Sequence, residues 1–176
     1  MTRGPAWCRA LLLASLMLAA GLAAQPAGAA APERLALFPF ELVDSSLQGE
    51  KQGVDPADQA RLAMIEDQLR DALAASDRYQ LVDTAPAAAA IEAAGRLWSC
   101  NGCELGIAKK LDADLALVGW VQKVSNLILN LNVVIRDAAT RAPVLAGSVD
   151  IRGDTDESWR HGMRYLIKHR LLPDHG

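Results

Sequence analysis

Cys100 and Cys103 stand three positions apart in the stretch WSCNGCELG. That spacing serves three chemistries: thiol–disulfide exchange, half of a metal site, or a closed disulfide that braces the chain. Exchange would draw on a thiolate at Cys103, favoured by the backbone N–H groups of a first helical turn. Zinc would need two further ligands. The histidines, His161, His169 and His175, all lie near the far end, with spacings that match no zinc pattern. Haem attachment would need histidine where Glu104 stands. The thioredoxin arrangement sets tryptophan directly before the first cysteine and the pair directly after a strand. Here Ser99 separates Trp98 from Cys100, and a short helix comes before. The expectation is a structural disulfide between Cys100 and Cys103, with a thiol–disulfide redox pair as the alternative. No metal and no cofactor are expected.

The densest charged cluster is Asp150, Arg152, Asp154, Asp156 and Glu157. Paired carboxylates can do acid–base work, but local roles account for these. Asp154 with Glu157 makes a capping-box spacing, and Asp156 suits a helix N-terminus. No base–nucleophile constellation accompanies them. Gly-x-Ser-x-Gly, a phosphate-cradling glycine loop and His-Glu-x-x-His are all missing from the chain. An enzyme is therefore not expected.

The elements that position these groups follow from periodicity. Leu35–Leu42 reads as a buried strand that lies at an edge or bends at Pro39, which lacks an N–H. Val43–Val54 reads as a loop. A helix then opens at Asp55 and Pro56, with Leu62, Ile65, Leu69 and Leu73 on one stripe and Glu66–Arg70 as an ion pair. Tyr79–Val82 is a short strand. Pro86–Ala94 is a short helix stopped by Gly95, and a third helix opens at Asn101 with Glu104 as its capping partner. Ala113–Val124 is apolar enough for the middle of a sheet. Leu127–Arg136 and Val144–Arg152 alternate, so Asn130, Asn132, Ser148, Asp150 and Arg152 share the face opposite the apolar residues. Trp159, Met163, Leu166 and Leu171 form the stripe of a last helix capped by Asp154. The fold class is α/β (α+β): a mixed five-stranded sheet, helices on one face, in the order β-α-β-α-α-β-β-β-α.

The ends and composition set the compartment. Arg3 and Arg9 precede the apolar run Ala10–Ala24, and small residues follow. This is the pattern of a cleavable signal peptide over residues 1–30, leaving 31–176 as a single periplasmic domain. Cys8 lies before the apolar run and would leave with it, so a lipoprotein is not expected. Loss of Arg3 and Arg9 would take two from the 18 basic residues against 21 acidic ones, for a net charge of −5. That balance excludes nucleic acid as a partner, and no later segment is long enough to insert in a membrane.

The segments LALFPFELVDSS, LRDALAASDRYQLVDT, LDADLALVGWVQKV and VVIRDAATRAPVLAGSVDIRG resemble the TolB amino-terminal domain and the CsgG and LpoB periplasmic proteins. SVDIRGDTDESW is similar to a proteobacterial family of secreted proteins known as a domain of unknown function. The resemblance spans nearly all of the chain after residue 30. It implies binding rather than catalysis. The related hairpins turn at Asp-x-x-Thr-Gly, whereas Arg141 stands where the glycine would be, so a longer, looser turn is expected here.

The expected function is that of a non-enzymatic periplasmic accessory or scaffold protein. The meander's open face, Trp120, Asn130, Asn132, Ser148, Asp150 and Arg152, would contact an envelope protein or a second copy. Trp120 shares its strand face with Val118 and Gln122, and an exposed tryptophan among amides is a plausible anchor.

Overall fold

Pro39 divides the first apolar run in two. The computed structural model describes residues 31–173; the expected signal peptide lies outside the described residues. β1 (Glu33–Leu37) and β2 (Glu41–Asp44) both lie parallel to β4 (Leu115–Ser125), β1 against Leu115–Leu117 and β2 against Trp120–Lys123. A residue without an N–H cannot hold a ladder position in a central strand, so the chain breaks there and resumes. β1 is not an edge. It sits between β3 (Tyr79–Val82) and β4. Phe38 turns to one side of the sheet and Phe40 to the other, and both are buried. The Phe40 ring occupies the space where a Cβ on Gly119 would stand, which is why that strand position holds glycine.

The sheet runs β3-β1-β4-β5-β6, with β5 Ile128–Asp137 and β6 Pro143–Arg152 antiparallel, and β2 alongside β4. The α+β class and the mixed sheet stand as expected. The strand count is six rather than five, because one expected strand is two. The helices cover both faces rather than one. α2 (Pro56–Ala74) and α5 (Asp156–Leu166) pack on Leu35, Leu37, Leu117, Leu131 and Val133. α3 (Ala88–Ala94) and α4 (Cys103–Lys110) pack on Ala36, Phe38, Ala116 and Val118 from the other side. The cause is visible in Leu35–Leu37 of β1 and Leu115–Gly119 of β4, where successive residues are all buried. A strand apolar at every position must be covered on both faces.

The expected 43–54 loop contains the end of β2 and α1 (Leu47–Gln52), whose cap Ser46 accepts from Gly49 N–H at 3.0 Å. α2 begins as expected, with Asp55 Oδ1 accepting from Ala57 N–H at 2.9 Å and Pro56 at the first position. Arg70 reaches Glu66 at 2.8 Å. Two expected caps differ. α4 is preceded by Gly102 with no side-chain cap, while Glu104 turns inward. α5 is capped by Thr155, which accepts from Ser158 N–H at 3.3 Å, leaving Asp154 free to point elsewhere.

The turn between β5 and β6 is tight, not loose. Arg141 takes the left-handed conformation itself, at φ 67°. Asp137 Oδ1 accepts from Ala139 and Thr140 N–H at 2.8 and 2.6 Å, and Arg141 N–H donates to Asp137 C=O at 2.9 Å. Three hydrogen bonds on one aspartate hold a backbone that arginine alone would not favour.

Candidate binding face and its aromatic border

α3 and α4 cover the β1–β4 half of their side of the sheet and stop there. Beyond them, among the described residues, the β5–β6 half is bare. Trp120 lies at the border, on the same face as Val118 and Gln122, as alternation requires. Its ring stacks on Trp98, with centroids 5.7 Å apart and planes at 24°. Trp98 comes from a 3-10 turn, Leu97–Ser99, and is 36 % exposed. Sequence reasoning singled out Trp120 but not its partner, because the two are brought together only by the packing of that turn.

Glu41 holds the turn. It sits in β2 beside Trp120, and its Oε1 accepts from Leu97 N–H at 2.6 Å and Trp98 N–H at 3.3 Å. Burial pushes the Glu41 carboxyl up from its ordinary range, against the lowering effect of those two N–H groups and Arg96. On the far side of the turn Cys100 and Cys103 are joined as a disulfide. Glu104, one residue on, is 3 % exposed. Its Oε1 pairs with Arg136 at 3.0 Å, and its Oε2 lies 3.3 Å from Cys100 Sγ. Leu97, Trp98, Trp120, Val134, Arg136 and Pro143 line a shallow groove above this pair.

Across the bare half, the expected contact residues share one surface. Trp120 faces Asn132, which faces Ser148; Gln122 faces Asn130, which faces Asp150. Asn130 Nδ2 donates to Asp150 Oδ1 at 2.9 Å, Ser148 Oγ donates to Asn130 Oδ1 at 3.1 Å, and Asn132 Nδ2 donates to Asn130 C=O at 3.3 Å. Ser148, Asp150 and Arg152 are exposed; Asn130, Asn132 and Trp120 are half-buried. Arg152 stands apart at the end of the row, opposite Ile128.

The expected acidic cluster is split by the fold. Asp150 belongs to the outer row, Asp156 meets Arg61 Nε at 3.0 Å, and Asp154 turns under the sheet. There Lys123, only 1 % exposed, donates to Asp58 at 2.6 Å and to Asp154 at 2.5 Å. Arg61 joins both carboxylates, and Trp159 Nε1 donates to Asp154 at 2.9 Å. Burial resists the Lys123 charge, but the hydrogen bonds to Asp154 and Asp58 prevail and hold its pKa above the ordinary lysine range. Burial likewise opposes the Asp154 charge, and Lys123 and Trp159 overcome it, so that its pKa falls. Sequence reasoning missed this network entirely. The one signal was a lysine on the apolar side of the alternation in β4.

Element order, sheet topology and two-sided helix cover define an α+β domain of the LpoB type. The chain is similar to the LpoB C-terminal domain from Salmonella enterica: 18 % identity over 72 % of this chain and 87 % of that one, TM-score 0.50. It is likewise similar to the Escherichia coli LpoB C-terminal domain: 17 % identity over 70 % of this chain and 85 % of that one, TM-score 0.50. The chain belongs to the DUF3280 family, described as a protein of unknown function (DUF2380), whose model matches residues 33–171. No match was found among curated proteins. The expected resemblance, a domain-of-unknown-function family with an LpoB-like fold, is borne out.

Proposed function

We propose that this chain is a non-enzymatic accessory or scaffold protein of the bacterial periplasm. In this reading it binds an envelope protein through the bare β5–β6 face. One observation carries it. Helices cover the whole of one face and half of the other, and the remaining half is bordered by a stacked indole pair and paved with amides, a hydroxyl and two charged groups. Rigid aromatic anchors beside adaptable hydrogen-bonding groups are the composition of a recognition surface. The LpoB-like fold supports the reading by analogy alone. The periplasmic assignment rests on Arg3, Arg9 and the apolar run after them, with residues 31–176 as the exported domain and no lipid anchor retained. Among the described residues no helix is long and apolar enough to cross a membrane.

The test is capture of envelope proteins by the mature chain, repeated with Trp120→Ala and with Asn130→Asp/Asn132→Asp. Both variants lose a partner that the parent retains. An unchanged partner set removes the face as the contact surface. Amino-terminal sequencing of the exported protein checks the cleavage between Ala29 and Ala31.

A second reading, thiol–disulfide exchange at Cys100/Cys103, draws on the buried Glu104 carboxylate beside Cys100. Against it, Arg136 already engages that carboxylate, and the pair follows a 3-10 turn rather than a strand. A redox titration separates the two. A potential far below that of known oxidants marks a structural bond.

A further inference from the structure

Among the described residues β6 ends the sheet on one side, with no strand beside its outer edge. Among the described residues the one hydrogen bond to that strand's backbone from outside the sheet is Ser158 Oγ donating to the Arg152 carbonyl at 3.0 Å. Edge strands are ordinarily kept short or broken by lysines and bulges along their length. β6 has one bulge, at Val144 beside the turn, where Ile135 faces Leu145 and Arg136 faces Pro143; from Leu145 to Arg152 it has neither lysine nor further bulge. Its two charged side chains, Asp150 and Arg152, stand at one end and Pro143 at the other. On the helix side, Leu145 and Val149 are only half-buried although they belong to the core stripe. A groove follows the edge between β6 and α5, floored by Val149, Ile151 and Gly162 and walled by His161 and Tyr165. Tyr165 is 42 % exposed.

The strand reads nearly alike in both directions from Gly147. One residue away stand Ala146 and Ser148, both small. Two away stand Leu145 and Val149, both apolar and on the helix side. The bulge at Val144 ends the regular register on that side. Only Val144 and Asp150, three away and both exposed, differ in character. We propose that β6 pairs antiparallel with β6 of a second copy about a two-fold axis at Gly147, joining two sheets into one.

In that register Leu145 of each copy faces Val149 of the other, covering the two half-exposed core residues. Ala146 faces Ser148 on the open side. From Leu145 to Val149 each residue faces one of the same parity, so whichever backbone groups of that stretch point outward meet their counterparts. The contact is isologous, which a two-fold dimer requires. A foreign strand would make no use of the symmetry around Gly147, and this is the reason the occupant is a second copy. The proposal goes beyond the reading above, which concerns the sheet's face rather than its edge.

Sedimentation equilibrium on the purified protein reads the mass, and mild oxidation of a mixture of Ala146→Cys and Ser148→Cys chains reads the register. Both positions are exposed, so neither change disturbs the core. Facing residues of an antiparallel pair stand about 4.5–5.5 Å apart at Cβ, close to disulfide reach. The expected result is twice the protomer mass, with a covalent dimer formed in the mixture and little in either variant alone. A monomer at about 100 µM, equivalent to less than about 5.5 kcal/mol of association, overturns the proposal. So does a dimer without the mixed cross-link. Trp120→Ala is expected to lose the envelope partner and keep the dimer, so failure at the face and failure at the edge are told apart.

Discussion

Lys123 sits beneath the sheet with its ammonium between two carboxylates, although its charge argues for a solvent-facing residue. Its burial holds because Asp58 and Asp154 supply the charge it needs and Arg61 balances them. Removing one partner from a buried pair leaves the other uncompensated, a loss of about 3–5 kcal/mol. Lys123→Met is therefore expected to lower stability by about 3 kcal/mol in urea denaturation, Arg61 easing part of the excess negative charge. The pH dependence has two limbs. The Asp154 pKa is depressed on folding, so its stabilisation is complete above the ordinary aspartate range, about 3.9, and is lost as pH falls through its folded value. The Lys123 pKa is raised, so its stabilisation is complete below about 10.4 and is lost as pH rises through its folded value. In Lys123→Met the alkaline limb from this residue disappears, and the acid limb from Asp154 shrinks, because Lys123 is the main group holding that pKa down. A thermal-unfolding series across pH measures both. Gly119 is a simpler case. A Cβ there would enter the Phe40 ring, and Gly119→Ala is expected to cost about 1–3 kcal/mol through overpacking.

The turn Leu97–Ser99 carries half of the aromatic border with little structure of its own. Glu41 holds one end and the disulfide closes the other. Glu41→Ala would leave the buried Leu97 N–H without its acceptor, at a cost of about 1–3 kcal/mol, and would weaken the near-ultraviolet circular dichroism of the stacked Trp98–Trp120 pair. Glu41→Gln retains an oxygen acceptor and is expected to keep most of that signal. A ring as short as Cys100–Cys103 contributes about 2 kcal/mol by loop entropy, small against the roughly 5–15 kcal/mol of a whole domain. Cys100→Ser/Cys103→Ser is therefore expected to fold. Amide exchange should speed up at the start of α4 while β4 stays protected. Global unfolding of that double variant under native conditions would show that the brace decides the fold.

The molecule as a whole is one sheet with a core on each side, and β4 is common to both. Its central residues are expected to be the slowest to exchange, ahead of β6, which is supported on one side only. Much of this was legible in advance. Alternation along β5 and β6 assigned Asn130, Asn132, Ser148 and Asp150 to one face because a period of two leaves no choice once the apolar residues are inward. It assigned Trp120 to that face as well, and Asp55–Pro56 marked the start of α2 by capping chemistry alone. Other readings failed where local and distant partners compete for the same side chain. Asp154 and Glu104 carry the spacing of capping residues, yet Lys123 and Arg136 hold them instead. A charge that would otherwise be buried alone has more to gain from a carboxylate than a helix end that Thr155, or water, can satisfy.

What the amino-acid order determined alone is whatever depends on near neighbours: strand faces, the start of α2, the stop at Gly95 and an irregularity at Pro39. What only the tertiary structure decided is which groups from distant segments meet. Trp98 against Trp120, Lys123 between Asp58 and Asp154, and helices on both faces of the sheet are of this kind. The reason is that backbone sterics and side-chain periodicity act over a few residues. Burial and charge pairing act through space, and they take form only when the sheet brings those segments together.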